Sequence, residues 1–351
     1  WGQNVYEIDD DVIGFEVTPR QIVSTLAWIN DELGLPHVPH IHTINLGKAG
    51  NARTTAESIE MLEGRRAHFC HLQFLSYSGE PDGLPLSGAA EVARALNENP
   101  NVTADVGQII FGPATTMTSD GPLEYYLRQL TGNKWLNDDV EGETGGGVVP
   151  LHYKQKHIFN AVQWLTGTEL FLLADDPWRV FLTADRPNAG PFFRYPQVIK
   201  LLMDRDYRAE VFEGIHKKVR ANALLPQLDR EYSLYEIAIT TRAGTARALG
   251  LDSKGHLGPG ADADVAIYRD LEDREEMFAH PAYVLKDGEV VVEDGRLVKE
   301  RPGRTFYVAP EYDRAIEADL REHFEQTYTI SFENYPVAPE YLPHGEVVVC
   351  E

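Results

Sequence analysis

Alternating apolar and polar positions divide the first half of the chain into short strands and longer helices. Two apolar runs, at residues 38–47 and 65–79, flank residues 51–64, where apolar positions recur at helical spacing. A second helical pattern at residues 88–100 leads into a third apolar run at residues 101–112 that is rich in β-branched residues. Strands that alternate with helices are typical of a parallel sheet covered by helices, either doubly wound or closed into a barrel.

The second half of the chain contains a long insert and then a change of composition. The insert, at about residues 113–176, precedes the fourth predicted strand and includes a predicted buried helix at residues 159–173. An insert of this length on a barrel often covers the active site. Beyond residue 250, short strands separated by Asp-Gly turns predict a small β domain. We therefore expect a barrel portion at residues 1–250, a β portion at 251–308 and a C-terminal extension at 309–351.

Charge and cysteine content argue against several classes of function. The formal net charge is −23, so phosphate backbones and anionic membrane surfaces repel most of the molecule. Neither nucleic acid nor a membrane is therefore an expected partner. The two cysteines, Cys70 and Cys350, form neither a disulfide framework nor a cysteine metal site. This cysteine usage is typical of a reducing cytoplasm, where we expect the protein.

Two of the predicted strands carry histidines, which makes their ends the strongest chemical signal in the chain. The first strand has His40 and His42, and the second has His68 and His71. Because the carboxyl ends of parallel strands gather around one site, one histidine from each strand is expected there, together with Asp185 at the end of the fourth strand. Two histidines and an aspartate are half of the ligand set of a zinc hydrolase, in which the metal activates a water.

The residues alone leave two interpretations of this cluster at about equal weight. In the first, Asp185 takes a proton from the attacking water and returns it to a leaving nitrogen. In the second, the histidines only form hydrogen bonds within the core. The loop after the first strand, which contains Asn45 and two glycines, is likewise either a catalytic loop or a turn whose Gly and Asn residues relieve backbone strain.

Longer runs of sequence add a resemblance to a known family. The runs NLGKAGN, HLQF, GGGVVP, NAVQW, DPWRVFLTAD, REYSLYEIAITTRAG and KGHLGPGADADVAIY extend over nearly the whole chain. Together they resemble the amidohydrolase-type subunit of formylmethanofuran dehydrogenase and its counterpart in the bacterial formyltransferase/hydrolase complex. The resemblance implies an α/β fold that is the C-terminal half of a metal-dependent-hydrolase (β/α)8 barrel, plus part of a small β-sandwich domain.

The resemblance also implies a ligand set for a binuclear zinc centre. It places His42 on the fifth barrel strand, His71 on the sixth and Asp185 on the eighth, with Asp185 as the catalytic proton shuttle as well as a metal ligand. His42 is preferred to His40 because HTIN resembles the His-x-x-Asn of related cyclic amidases. His71 is preferred to His68 because it begins HLQF. The remaining ligands are expected upstream of Trp1, so we expect the chain to be a fragment.

One position departs from the family pattern. The family motif after the eighth strand is Thr-Thr-Asp-His-Pro-Asn, whereas this chain has TADRPN, with Arg186 in place of histidine. An arginine there either weakens Asp185 as a base or binds an anionic group. The expected substrate-binding residues are Asn45, Arg186 and Asn188.

By resemblance, the expected reaction is hydrolysis of an N-formyl amine to formate and amine, or the reverse condensation. Formylmethanofuran or an analogue is the expected substrate, and the other subunits of the complex are the expected partners. One alternative is a cyclic amidase of the dihydropyrimidinase or dihydroorotase kind, which the generic C-terminal run permits. Another is a structural subunit whose site has decayed, for which Arg186 is the motive.

Overall fold

The structure is a computed structural model that describes residues 5–12, 16–80, 83–118, 147–329, 331–334, 341 and 345–350. Its central sheet has four parallel strands in chain order: β1 (His40–Ile41), β2 (Ala67–Phe69), β5 (Val102–Asp105) and β8 (Val180–Phe181). Each strand pairs with the next one, and helices connect them. This is the arrangement of one half of a (β/α)8 barrel, so the predicted barrel half is confirmed.

The register of this sheet decides which side chains reach the site. His40 lies opposite His68, and Phe69 lies opposite both Ile41 and Ala104. Because alternate residues of a strand face opposite sides, the two histidines share one face of the sheet. Phe69 and Ala104 are fully buried on the other face, beneath the helices.

The first helix of the barrel portion begins where the sequence provides a cap. Thr18 accepts a hydrogen bond from the Gln21 backbone N–H and donates its own N–H to the Gln21 side chain, so α1 starts at Pro19 with a capping box. The helices up to the fourth barrel strand are α1 (Pro19–Glu32), α2 (Asn51–Glu60), α3 (Ala89–Glu98) and α4 (Ile158–Leu173). A two-stranded antiparallel pair, β3 (Tyr77–Ser78) and β4 (Leu86–Ser87), precedes α3.

The long insert contains a hairpin and a buried helix. Strand β6 (Gly112–Thr118) pairs antiparallel with β7 (Gly147–Tyr153), and residues 119–146 lie outside the described part of the chain. Helix α4 follows and is buried continuously from Asn160 to Leu172. An apolar helix without a polar face belongs in the interior, so the helix predicted at residues 159–173 is confirmed.

After the fourth barrel strand the chain forms a series of short helices up to residue 248 and then a small sheet. The helices are α5 (Tyr195–Met203), α6 (Arg205–Gly214), α7 (Lys217–Arg220), α8 (Leu234–Ala238) and α9 (Gly244–Ala248). The antiparallel sheet has the order β12, β11, β10, β9, with bounds Arg296–Leu297, Glu289–Glu293, Tyr283–Lys286 and Val265–Ile267, and α10 (Arg274–Ala279) lies between β9 and β10.

Asp-Gly turns join β10 to β11 and β11 to β12 in this small sheet, as the sequence predicted. Asp287 and Gly288 have φ angles of 49° and 78°, and Asp294 and Gly295 have 46° and 72°. Two consecutive positive φ angles match the twist of a tight hairpin, and Asp-Gly adopts them readily.

The C-terminal part pairs with the β portion. Strand β13 (Thr305–Val308) pairs in parallel with β14 (Gly345–Val348), and α11 (Ile316–Thr327) lies between them in the chain. This pairing crosses the predicted boundary at residue 308, and the three-part division stays a prediction. In the described ranges, no helix is both long and apolar enough to cross a membrane.

Candidate metal centre

Two histidines from neighbouring strands converge just beyond the carboxyl ends of β1 and β2. His42 Nδ1 lies 2.7 Å from His71 Nε2, and the ring centroids are 4.7 Å apart. Two nitrogens bound to one tetrahedral zinc at about 2.0 Å are about 3.3 Å apart. The two rings therefore need to move apart only slightly to hold an ion between them. The structure thus brings together the two histidines that the sequence favoured.

The electrostatic state of His42 and the burial of His71 both suit metal binding. Partial desolvation lowers the pKa of His42 below its ordinary value, and the neighbouring His71 lowers it further. A neutral imidazole at pH 7 keeps the lone pair that a metal needs. His71 is buried, and in the described part of the chain its Nδ1 has no hydrogen-bond partner. A buried nitrogen without a partner is costly, which fits a residue that acts on an additional group.

Asp185 lies at the same edge of the sheet, near His71. A Cβ atom at Gly107 would lie 2.6 Å from His71 Cβ and 3.6 Å from Asp185 Cβ, so the three loops meet at Gly107. Only glycine fits there, and its φ angle of 65° is left-handed as well. Asn188 Nδ2 donates a hydrogen bond to Asp185 Oδ2 at 3.2 Å and thereby orients the carboxylate.

A second polar group lies beside this pair on the same face of the sheet. Ligand atoms of His40, His68, Cys70 and Asp105 all lie within 4.8 Å of one another. The His40 and His68 rings stack with centroids 4.6 Å apart. Burial raises the pKa of the Cys70 thiol to about 12, so the thiol stays protonated at neutral pH. The described ranges contain two groups of three or more His, Cys, Asp or Glu residues whose ligand atoms lie this close together. Asp185 belongs to neither group.

Asp105 connects three strands through hydrogen bonds. Its Oδ1 accepts the backbone N–H of His71 at 2.9 Å and the hydroxyl of Thr183, and its Oδ2 lies 3.2 Å from His68 Nε2. Burial alone raises the pKa of Asp105, but the hydrogen bonds from His68, Thr183 and the His71 N–H outweigh it and lower the pKa. The carboxylate is therefore ionised at neutral pH although it is buried.

Sequence reasoning missed Asp105 and Thr183, and a signal for them was present. The third strand ends in Thr103-Ala104-Asp105, and Thr183-Ala184-Asp185 follows shortly after the fourth strand ends at Phe181, so the same three residues occur at the carboxyl ends of two strands of one sheet. Of these two aspartates, only Asp185 was predicted as a site residue.

The other predicted substrate-binding residues have contacts of different kinds. The Asn45 amide donates to the Tyr6 carbonyl at 2.8 Å, which ties the N-terminal segment to the loop after β1. Arg186 is exposed, and its guanidinium carbon lies 4.6 Å from the centroid of the Phe192 ring. Asn188 contacts Asp185 directly. The substrate-binding roles of all three remain predictions.

The half-barrel and the paired histidines at its strand ends define a metal-dependent hydrolase scaffold, and the family comparison agrees. The amidohydrolase family profile matches residues 1–292, and the chain belongs to this family. Among curated proteins, it is 45% identical over 371 residues to protein FwdA of Methanocaldococcus jannaschii, covering 99% of this chain. It is 38% identical over 358 residues to the A component of the formyltransferase/hydrolase complex Fhc of Methylorubrum extorquens, covering 98% of this chain.

A solved structure matches over the same extent. The crystal structure of the formyltransferase/hydrolase complex of Methylorubrum extorquens with methylofuran aligns with a TM-score of 0.85 and 36% identity, over 99% of this chain and 65% of that chain. The present chain spans 65% and 64% of the length of the two curated relatives. The resemblance inferred from the sequence runs is confirmed.

Proposed function

We propose that the protein containing this chain is a zinc-dependent hydrolase of an N-formyl amine, working as one subunit of a formyltransferase/hydrolase or formylmethanofuran dehydrogenase complex. The observation that carries the proposal is the approach of His42 Nδ1 to His71 Nε2, 2.7 Å apart at adjacent strand ends, in an amidohydrolase chain. The relatives supply the substrate class, because the M. extorquens complex was crystallised with methylofuran.

In this proposal the residues of the chain divide the work. His42 and His71 hold a metal through ring nitrogens, and Asp185 joins them as ligand and proton carrier. Zinc, when bound, supplies an activated water and polarises the formyl oxygen. Asp185 takes the proton of the attacking water and delivers it to the amine nitrogen as the C–N bond breaks, leaving formate and a free amine. Asn188 holds the carboxylate in place for both transfers.

Further parts of the proposal rest on the relatives and on composition. The remaining ligands of a binuclear centre are assigned to the part of the relatives that this chain does not align with. The substrate is formylmethanofuran or an analogue, the reverse condensation uses the same groups, and the other subunits of the complex are the partners. The two cysteines support a cytoplasmic location.

The test is formate release by the complete complex carrying Asp185→Asn. We expect kcat to fall by a factor of about 100 or more, because the proton carrier is lost. Asp175→Asn is the matched control, since Asp175 is an exposed carboxylate ten residues earlier in the same segment. Undiminished formate release from the Asp185 variant would overturn the proposed mechanism.

Two observations favour a second candidate, a structural subunit with a decayed site. Asp185 does not join the histidines in a compact group, and Arg186 replaces the histidine of the family motif. Metal analysis of the complete protein separates the two. At least about one zinc per chain supports the enzyme, and less supports decay.

Activity on hydantoin or dihydroorotate with none on formamides would instead identify a cyclic amidase.

A further inference from the structure

Asp105 is a buried carboxylate to which the proposed chemistry assigns no step. It ends β5, its residue is 8% exposed, and it lies between the strand that leads to His71 and the strand that leads to Asp185. Burying a charge costs free energy unless polar groups contact it, so the groups that contact Asp105 indicate its role.

The first contact of Asp105 acts on the His71 backbone. His71 has a φ angle of 37°, a left-handed conformation that is unfavourable for a non-glycine residue. The Asp105 carboxylate accepts the N–H of this residue at 2.9 Å. A hydrogen bond to a buried oxygen in a fixed position helps to hold the backbone in such a conformation. The direction in which the His71 ring leaves the chain therefore depends on Asp105.

The second contact acts on the loop that carries Asp185. The Thr183 hydroxyl donates to the same carboxylate oxygen of Asp105, and Thr183 Oγ1 accepts the Gly107 N–H at 2.9 Å. Asp185, two residues further on, also has a φ angle of 37°. One carboxylate thus supports both loops in which a candidate ligand adopts a left-handed conformation.

A metal ligated by Asp105 itself is the rival explanation. His40, His68 and Cys70 place ligand atoms close enough to Asp105 for such a site. However, Oδ1 of Asp105 already accepts two hydrogen bonds, and its Oδ2 faces His68 Nε2 at 3.2 Å. An ion bound to Asp105 would have to displace the contact with His68. The hydrogen-bonded arrangement satisfies these groups without an ion.

We propose that Asp105 is a positioning residue that orients His71 and the Asp185 loop toward a shared metal through the His71 N–H and the Thr183 hydroxyl. This inference rests on the proposed function, because it needs a metal held by His71. It predicts that hydrogen-bond acceptance at Oδ1 matters more than the charge of Asp105.

Two substitutions of Asp105 separate geometry from charge. Asp105→Ala removes every contact, and we expect zinc affinity to fall by about 10- to 100-fold, the usual effect of losing a group that supports a ligand. Asp105→Asn keeps Oδ1 for the His71 N–H and the Thr183 hydroxyl. Its new NH2 group can donate to His68 Nε2 once the ring proton moves to Nδ1, which lies 2.9 Å from Thr103 Oγ1. We expect Asn to restore zinc affinity to within about threefold of the parent.

Asp264→Asn is the matched control for lost stability. Asp264 also accepts a backbone N–H, from Asp287 at 2.9 Å, and two side-chain donors, but it lies in the small sheet. The complete protein is loaded with zinc for competition titration and with cobalt for its visible absorption spectrum. The control is expected to unfold more easily, with unchanged zinc affinity and cobalt spectrum.

Each outcome decides the inference. Parent-like zinc affinity and an unchanged cobalt spectrum in Asp105→Ala would overturn it while leaving the proposed function intact. If the parent protein binds no zinc, both the inference and the proposed function are wrong. If Asp105→Ala does not fold, Thr183→Val takes its place, because it removes one donor and keeps the His71 contact. A changed cobalt spectrum in that variant supports the inference, and an unchanged one contradicts it.

Discussion

Asn188 and Asp185 form a hydrogen bond in which the amide Nδ2 donates to carboxylate Oδ2 at 3.2 Å. The amide is itself held, because Asn188 Oδ1 accepts the Thr116 hydroxyl at 3.1 Å and the Asn188 carbonyl accepts the Tyr153 hydroxyl at 2.7 Å. The hairpin of the insert, which carries Thr116 and Tyr153, therefore supports the Asp185 carboxylate through Asn188.

We expect Asn188→Ala to lower kcat for formate release by about tenfold with little change in KM, because proton transfer loses its orientation and substrate contacts stay. Steady-state kinetics of the complete complex provide the measurement. Asn222→Ala is the control, since the Asn222 amide donates only to a carbonyl on an exposed helix end. A rise in KM alone would instead assign Asn188 to substrate binding, as the sequence predicted.

Metal content tests the choice of histidines. His42→Ala and His71→Ala are each expected to lower bound zinc in the complete protein to well under one per chain, because each removes a ring nitrogen from the converging pair. His40→Ala is expected to retain zinc, since its ring stacks on His68. Elemental analysis after dialysis measures the result. Zinc retained without His42 but lost without His40 would reverse the assignment.

Glu169 predicts a pH-dependent contribution to stability in the barrel portion. Its side chain is fully buried in α4, and it accepts the N–H groups of Leu224 and Leu225 at 2.6 and 2.9 Å and the Ser87 hydroxyl at 2.5 Å. Burial raises the pKa of Glu169 in spite of these bonds. Its contribution is therefore complete below the unfolded pKa of about 4.3 and is lost as the pH rises through the higher folded pKa.

Glu169→Gln is expected to keep the unfolding free energy within about 1 kcal/mol at pH 7, because the amide oxygen accepts both N–H groups. Glu169→Ala leaves them buried without a partner and is expected to cost about 3 kcal/mol. Denaturant titrations between pH 4 and 7 should show the parent losing stability relative to Glu169→Gln as the pH rises. Glu98→Gln, at an exposed ion pair, is the control. If the difference in unfolding free energy between the parent and Glu169→Gln does not vary with pH, the buried Glu169 does not have a raised pKa.

Asp264 predicts the opposite pH dependence in the small sheet. Lys254 Nζ and Lys286 Nζ each lie 2.7 Å from Asp264 Oδ2. Burial alone raises the pKa of Asp264, but the hydrogen bonds from the two lysines outweigh it and hold the pKa well below its ordinary value. Its contribution is therefore complete above the unfolded pKa of about 3.9 and is lost as the pH falls through the lower folded pKa.

Asp264→Asn is expected to lower the unfolding free energy by about 2 kcal/mol at pH 7, because the amide NH2 group replaces an acceptor that faces two ammonium groups. The difference from the parent should shrink as the pH falls below about 4. Thermal unfolding at several pH values measures it, with Asp270→Asn at an exposed ion pair as the control. An equal difference at pH 3 and pH 7 would contradict this role of the charge.

Local sequence determined the features that depend on near neighbours. Periodicity predicted the strands, α2, α3 and the buried α4, because side-chain direction repeats with backbone geometry. The Asp-Gly turns were predictable because those residues tolerate positive φ angles. The approach of His42 to His71 followed from the parallel sheet, whose strand ends must gather at one edge.

Only the tertiary structure decided what the two Thr-Ala-Asp sequences do. Asp105 accepts hydrogen bonds from His71, 34 residues away, and from Thr183, 78 residues away, whereas Asp185 lies at the mouth of the sheet against Asn188. The two carboxylates follow the same two residues, threonine and alanine. Their roles differ because strand register and the loops after each strand set which donors reach each oxygen, and those distances are properties of the folded chain.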